Sequence, residues 1–540
     1  MMKKFVTVAV AAVLAVSMCI GCKPKQQTGG IILDNRETIT VSLFTAGFGS
    51  DWMVELINQY NAETAGSTYQ FNMAPAHQDN IGTITNKVKA GVHNADIYIN
   101  DESDFHQLAN EGYLLDMSSV WAAKPDAEYP DRTIREKILD NELYEKAYTI
   151  NGKIYGVPWT QGLFSIIYDH DLFEEQGFLL TDTTTENGLT VGMDKKEGTF
   201  DDGLPATMTE FRQLCEDLVD AGIDPFVYSD QYGGGYTIPI LETIWCRYDG
   251  YDNYERTFDY TGEYESPTTG VKTPLTPADG WKIYSDMTEG RLKAVDFMAD
   301  FVLNTDYYDE NRKGVSHTAS EELFVFSHNS GQKRVAMHFN GAFWENEARN
   351  AFETDVIRNA GDPSLAYGKR DFRFMPIPAY EGEHASSDGK IYLSTNANGS
   401  IIALDTKNAE KNQAILDFIT YLVSDESLGF FTQRTGSVPA YVYEMDEEEL
   451  SQVSLFGQSM YTMTQSPDVK IIRPSLLRTN STIYFLPEAP QRWWASKPDG
   501  SLYTHCYDGV VNMGKEAYVQ SITTRYPQSV WNDLYSSAWA

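Results

Sequence analysis

The chain has 540 residues and carries 42 basic against 77 acidic side chains, a formal charge of −35. Binding to nucleic acid needs a basic stripe that neutralises phosphates, and no block of Lys and Arg supplies one, so that class of partner is excluded. The length is enough for two or more hydrophobic cores, and no repeat, heptad pattern or low-complexity tract replaces them.

The first segment has a basic head (Lys3, Lys4) and an apolar run from Phe5 to Ile20. It is short for a membrane span and has the charge layout of a secretory signal. Its end, SMCIGC, resembles a bacterial lipobox, with Gly21 before Cys22 and Cys19 where leucine is usual. The expectation is removal of residues 1–21, a lipid on Cys22, and a polar tether over 22–36 that leaves the protein anchored to a membrane without spanning it. An ordinary cleaved signal is the alternative. Loss of Lys3 and Lys4 leaves 40 basic against 77 acidic residues. Beyond Cys22, the cysteines Cys215, Cys246 and Cys506 are odd in number and far apart, which is no disulfide framework.

Thr38 to Phe44 alternates apolar Ile39, Val41 and Leu43 as a strand does, then breaks. Asp51 reads as an N-cap, followed by Trp52, Leu56 and Tyr60 at helical spacing. ADIYIN (Ala95 to Asn100) is a short strand of the buried type. Leu180 to Pro205 is polar, turn-rich and long for a connection. Thr207 and Glu210 form a capping box before a helix with Phe211, Leu214, Cys215, Leu218 and Val219 on one face, ending at Gly222. The glycines Gly233 to Gly235 precede no phosphate-binding pattern. Arg247 to Ala278 interleaves aromatics with acids, without the spacing of a calcium loop. It reads as a decorated surface loop, with a hairpin over a cleft as the alternative. KRVAMHFNGAFWENEA (Lys333 to Ala348) begins as a strand and ends as the start of a helix. DEEEL (Asp446 to Leu450) is a solvated helix face. There is no HExxH or GxSxG, and the nine histidines are scattered, so neither a catalytic set nor a metal or cofactor site is expected. A glycosidase carboxylate pair is not a thing spacing can reveal.

Strand-like and helix-like segments alternate, which marks an α/β protein. Ligands of open α/β sheets bind beyond the carboxyl ends of strands, which singles out the loops after Phe44, Ile99 and Phe339.

Seven segments then fall in a recognisable order: AGVHNADIYIND, LANEGYLLDM, INGKIYGVPW, SIIYDHDLFEEQG, LPATMTEFRQLC, RVAMHFNGAFW, and AEKNQAILDFITYLVSDES with TGSVPA. Together they resemble the family 1 extracellular solute-binding proteins, lipoprotein receptors of ABC importers that mostly carry sugars. Two positions depart from the family pattern: Asp169 stands where asparagine is usual, and Met208 where tryptophan is usual. The resemblance implies a two-lobed periplasmic-binding-protein-like fold of type II, with a hinge and a ligand cleft between the lobes. It implies a first lobe from 37–155 and 391–440, a second from 156–390, and a C-terminal helical region, 441–540, packed on the second. It also implies a binding protein rather than an enzyme. The expected partners are a carbohydrate, by analogy an oligosaccharide, and the permease subunits of an importer; polyamine and peptide ligands are alternatives. The protein is expected to be monomeric and extracytoplasmic.

A pyranose offers an apolar face to aromatic rings and a rim of hydroxyls to amides and carboxylates. On the first lobe the candidates are Thr45 and Phe48, then Asn100 and Asp101, where the resemblance ends a strand at the cleft. Thr45 could equally form a turn and Phe48 belong to the core. Trp159 reads as a hinge packer or a cleft wall, with Gln161 beside it. Tyr236 and Trp245 border the glycine run, and Trp245 reads equally as core. Asn340 and Glu345 could bond hydroxyls, or cap the turn and complement the helix N-terminus. Phe343 and Trp344 are adjacent, and adjacent helical positions point about 100° apart, so one ring is core and one faces ligand. Trp344, larger and more amphipathic, is the expected stacking ring. Trp493 and Trp494 read as packing.

Overall fold

Nine strands form one mixed sheet. They are β1 (Glu37–Leu43), β2 (Tyr69–Met73), β3 (Ile97–Asn100), β4 (Val157–Asp169), β5 (Asp224–Val227), β6 (Val335–Gly341), β7 (Phe372–Met375), β8 (Ile391–Ala403) and β9 (Val469–Ile472). The computed structural model describes residues 27–28, 30–75, 79–229, 236–267, 269–284, 286–308, 314–381, 389–479, 506–525 and 527–539. Cys22 and its leader, Gly233 to Gly235, and Trp493–Trp494 lie outside them. The order is β2-β1-β3-β8-β4-β6-β5, with β7 also on β4 and β9 also on β8.

Two strands make this one sheet serve two lobes. Both β4 and β8 run for 13 residues. The second half of β8 pairs antiparallel with β3, Ser400 opposite Asn100, while its first half pairs with β9, Ile391 opposite Val469. Likewise β4 carries β6 and β7 on its second half, Phe164 opposite Gly341 and Asp169 opposite Phe372. The first lobe is therefore built on β2, β1 and β3, and the second on β6, β5, β7 and β9.

Among the helices around the sheet are α1 (Asp51–Glu63), α2 (Met208–Asp220), α3 (Ile238–Asp249), α4 (Glu289–Phe297), α5 (His317–Phe326), α6 (Trp344–Glu347), α7 (Ala409–Leu422), α8 (Asp425–Thr435), α9 (Leu455–Gln465) and α10 (Pro474–Thr479). The Thr207–Glu210 capping box forms at the start of α2, each side chain bonding the other's backbone N–H. Phe211, Leu214, Cys215 and Leu218 face the core as expected; Val219 does not, because eight residues past Phe211 the helix has turned it to solvent. Asp51 is the first residue of α1 rather than its cap, and Ser50 precedes it. There its charge still complements the helix N-terminus. Asp169, the departure from the family pattern, is buried and accepts hydrogen bonds from Arg334 at 2.7 Å and Arg370 at 2.9 Å. Asparagine could not balance those two charges.

The two long segments have ordinary structural roles. In 180–205 the carboxylates turn inward on their own loop: Asp201 accepts from the N–H groups of Met193 and Asp194 and from Thr199 Oγ1. The expectation of a surface loop from Arg247 to Ala278 is corrected. Arg247 belongs to α3, is buried, and donates to the carbonyls of Ile377 and Pro378. Beyond Gly250, residues Tyr251–Asp259 form a helix with Tyr254 and Phe258 buried, and Gly262–Glu265 pairs with Lys272–Leu275 as a hairpin. Gly250, at φ +87°, breaks one helix and lets the next begin.

A buried guanidinium ties β4 to β8. Arg473, after β9, donates to Asp140 Oδ2 at 2.8 Å, to Asn398 Oδ1 on β8 at 3.1 Å and to Gln161 Oε1 on β4 at 3.0 Å. Gln161 and Asn398 are opposite one another where the β4–β8 register shifts. Removing the guanidinium strands the buried Gln161 oxygen and leaves Asn398 Oδ1 only the Tyr144 hydroxyl at 3.2 Å, so Arg473→Ala is expected to destabilise the protein by about 3 kcal/mol, read from urea unfolding.

Candidate functional site

The register locates the cleft. Strand β3 ends at Asn100, level with Ser400 and hence with Pro158 of β4, whereas β6 ends at Gly341, level with Phe164. Between those levels β4 and β8 run on while β3 and β6 have stopped. The gap is floored by the middle of β4 and by Thr395 to Gly399 of β8. Close strand packing keeps that floor thin: a Cβ on Gly162 would lie 2.1 Å from Asn396 Oδ1, and one on Gly399 would lie 2.3 Å from Thr160 Oγ1.

The first-lobe lip is the loop after β1. Thr45 accepts the N–H of Phe48 and of Gly49 on its carbonyl, making a tight turn. That turn presents Phe48, half-buried, toward the second lobe. The second-lobe lip is the turn from β6 into α6. There Phe343 is half-buried and meets Phe48 edge-on at 6.4 Å and Phe164 at 5.8 Å. Tyr236 stands against Phe164 at 5.6 Å and parallel to His317 at 6.4 Å. Four of these rings thus form a continuous run across the two lips.

Asn100 and Asp101 stand at the tip of β3. Asn100 is 3% exposed, and among the described residues neither atom of its amide has a hydrogen-bond partner. A buried amide with no partner costs free energy unless something fills its valences. Asp101 lines a cavity of about 730 Å³ together with Asn80, Glu102, Ser103, Asn396 and Ser475. Burial, then the charge of Glu102, pushes the Asp101 carboxyl up to about 6.

Several expected ligand contacts are elsewhere. Trp344 is 0% exposed and ringed by Phe372 at 5.1 Å, Phe324 and Phe456 at 5.6 Å, and Phe352 at 6.0 Å. The two adjacent rings are divided as the helical angle requires, with the roles reversed: Trp344 is core and Phe343 is at the cleft. The larger ring fills the larger apolar space. Trp159 is 1% exposed and stacks on Trp52 at 5.4 Å, which is the packing role. Gln161 is spent on Arg473 and on the Pro439 carbonyl. Trp245 donates to Asp249 Oδ2 at 2.8 Å under the Arg291 guanidinium, inside the second-lobe core. Asn340 is enclosed between Glu321 and His338. Glu345 is buried beneath α6 near Ser454; burial pushes it up to about 7, against the Ser454 hydroxyl and the Gly368 N–H. Both are second-lobe interior groups in this arrangement.

The sequence reading missed Phe164, His317, Asn396 and Glu347. Glu347 was legible, since it follows Phe343 by four residues and so shares its face. Phe164 was not, because it sits in an unbroken buried run and only the pairing with Gly341 brings it to the lip. Among the described residues no group of three or more His, Cys, Asp or Glu is placed to hold a metal ion. None of their helices is long and apolar enough to cross a membrane.

The family profile of the bacterial extracellular solute-binding proteins matches residues 55–448. Among solved structures, the chain is similar to the apo-form of RafE from Streptococcus pneumoniae at 16% identity and a TM-score of 0.54, over 93% of this chain and 99% of that one. It is similar to a chitin oligosaccharide binding protein at 16% identity and a TM-score of 0.53, over 93% and 100%. The maltose-bound MalE3 of T. maritima follows at 14% identity and 0.53, over 90% and 98%. These likenesses establish the two-lobed fold. No curated protein matches the chain.

The division of the two rings is open to measurement. Trp344→Ala is expected to cost about 3–5 kcal/mol of stability, and Phe343→Ala less than half of that, by urea unfolding.

Proposed function

We infer what this protein carries from one premise: the chain belongs to the family of bacterial extracellular solute-binding proteins. It is a binding component of the ABC-transporter kind, extracytoplasmic and not an enzyme. Its ligand, on our reading, is a carbohydrate, and an oligosaccharide in particular, held in the gap between the strand ends and handed to the permease subunits of an importer.

The observation that carries this reading is the pairing of aromatic lips with an amide-rich interior. Phe48 and Phe343 supply apolar faces from opposite lobes, and the tip of β3 and the cavity beside it supply hydrogen-bonding groups from Asn100, Asn80, Asn396 and Asp101. A sugar ring needs both at once. The names of the similar structures, one for chitin oligosaccharide and one bound to maltose, support the same class of ligand. The cavity beside Asp101, at about 730 Å³, has room for more than one ring.

A second reading has its own observation. Among the described residues, the lining of that cavity includes Asp101, Glu102 and Asp104 and no Lys or Arg. An amine-bearing ligand, an amino sugar or a polyamine, would be favoured there over any anion.

We assign the first lobe to 37–155 and 391–440, the second to 156–390, and the C-terminal region 441–540 to the second lobe's surface. The packing of Phe456 on Trp344 and Phe374 supports the last assignment. We propose a lipid anchor at Cys22 and a monomeric protein. Metabolic labelling with a radiolabelled fatty acid is expected to mark the protein and to be lost in Cys22→Ser.

A thermal-shift screen against neutral oligosaccharides, amino sugars and polyamines tests the ligand class. A ligand at 100 times its Kd should add about 2.7 kcal/mol of stability. Phe343→Ala is expected to weaken the active sugar about tenfold, or ~1.4 kcal/mol, by titration calorimetry. A shift with polyamine and none with any sugar would overturn the carbohydrate reading. The two readings also differ in pH dependence. Because Asp101 is protonated below about 6, an amine should bind more tightly as pH rises from 5 to 7, whereas a neutral sugar gains no such attraction.

A further inference from the structure

The first-lobe lip contains two glycines, and they are there for different reasons. Gly49 has φ +67°, and nothing lies within 4 Å of where its Cβ would be, so its backbone conformation is what asks for glycine. Gly47, in the 3-10 turn Ala46–Phe48, is not among the residues with positive φ, and any amino acid could adopt its backbone. What Gly47 lacks is space. A Cβ there would lie 2.5 Å from Glu347 Cγ, 2.9 Å from Phe343 Cβ and 3.0 Å from Glu347 Cδ. These three nearest atoms all belong to the second-lobe lip. The demand for glycine at position 47 therefore comes from the opposite lobe, and it exists only while the lips touch.

A polar bond crosses between the lobes at the same place. Asn346 of α6 donates its side-chain amide to the Gly47 carbonyl. Its amide oxygen accepts from Arg349 at 2.8 Å, which orients the group: oxygen toward the cation, NH2 toward the carbonyl. Arg349 lies over the Tyr367 ring at 3.9 Å and reaches the Arg434 carbonyl of α8, on the first lobe, at 3.5 Å. Both lips have firm bases. Beneath α6, Trp344 is fully buried, and the N–H groups of Glu347 and Ala348 bond the carbonyls of Phe343 and Trp344. Opposite, Phe48 packs on Phe431 of α8 at 5.9 Å while it meets Phe343 edge-on at 6.4 Å. The seam borders a groove of about 550 Å³, and among the described residues none that line this groove also line the cavity beside Asp101.

We propose that Gly47 and Asn346 are positioning residues that set how far the two lobes close. The bare backbone at Gly47 lets Phe48 come within edge-on reach of Phe343, and the Asn346 amide favours the arrangement in which that approach is complete. A side chain at position 47 would hold the lips apart by about the width of a methyl group and would break the Asn346 bond with it. The apparent affinity of any solute that needs the closed arrangement falls in proportion to the closed fraction, so both residues act on binding without touching the solute. This inference rests on the contact between the lobes and on no assumption about what the cleft holds.

Pulsed-EPR distances between spin labels on Val92→Cys of the first lobe and Ile357→Cys of the second test this in the ligand-free full chain. Both side chains are exposed, and Cys215, Cys246 and Cys506 are buried; Cys22 is replaced by serine. The labelled parent is expected to show a closed population that Gly47→Ala lowers about tenfold, as a methyl group forced into filled space would. Asn346→Ala should lower it about threefold, the worth of one hydrogen bond, and serves if Gly47→Ala does not fold. Glu347→Ala added to Gly47→Ala removes the nearest obstacle and should return part of the closed population, which a role confined to folding of the first lobe would not allow. Small-angle scattering of the unlabelled variants should give the same order of compactness. Distances and scattering that are the same in the parent, Gly47→Ala and Asn346→Ala would overturn the proposal, and so would a Gly47→Ala protein that Glu347→Ala leaves as open as before.

Discussion

The structure depends on two strands that belong to both lobes at once. A sheet that ran only through β2, β1 and β3, or only through β6 and β5, would make an ordinary single-lobed α/β layer. Because β4 and β8 run through both, the two groups of strands stop short of one another and leave a gap with a continuous floor. Arg473 fixes that floor by holding an amide from each strand. A buried guanidinium is costly to desolvate, and its cost is offset only because Asp140, Asn398 and Gln161 all accept from it. The crossing point is therefore rigid through polar satisfaction where the lobes themselves are rigid through apolar packing.

The aromatic residues divide along the same line. Trp52, Trp159 and Phe431 pack together under the first lobe, and Phe211, Phe226, Phe297 and Phe339 under the second. The rings left at the gap are smaller and placed edge-on, Phe48 against Phe343. Edge-on contact between lobes is a weak, adjustable interaction, suited to surfaces that separate and meet again. The excess of acid falls partly on the solvated exterior and partly at the gap, where burial makes several carboxyls reluctant to ionise. Asp101 at the tip of β3 is thus a hydrogen-bonding group whose charge depends on what covers it.

Much of the local structure was written in the sequence. The capping box at Thr207, the strand at Ile39, and the strand-to-helix turn at Asn340 to Glu347 each follow from neighbours within a few residues. So did the angular argument that only one of Phe343 and Trp344 could face a ligand. What failed were judgements that depend on distant partners. Arg247 to Ala278 was read as a surface loop, because the buried face of Tyr254 and Phe258 has no partner in the sequence itself. Gln161 and Asn340 were read as free polar groups, because Arg473 and Glu321, which occupy them, are 312 and 19 residues away.

By itself the sequence determined the α/β class, the two-lobed expectation through its ordered motifs, and the loops in which a site would form. Periodicity and capping act over one or two helical turns, and they are readable for that reason. Only the tertiary structure decided which ring packs and which is presented, and which polar groups are spent inside the lobes. Those outcomes are set by the volume available beneath α6 and by the register that brings Phe164 level with Gly341. Neither exists until strands far apart in the chain have paired.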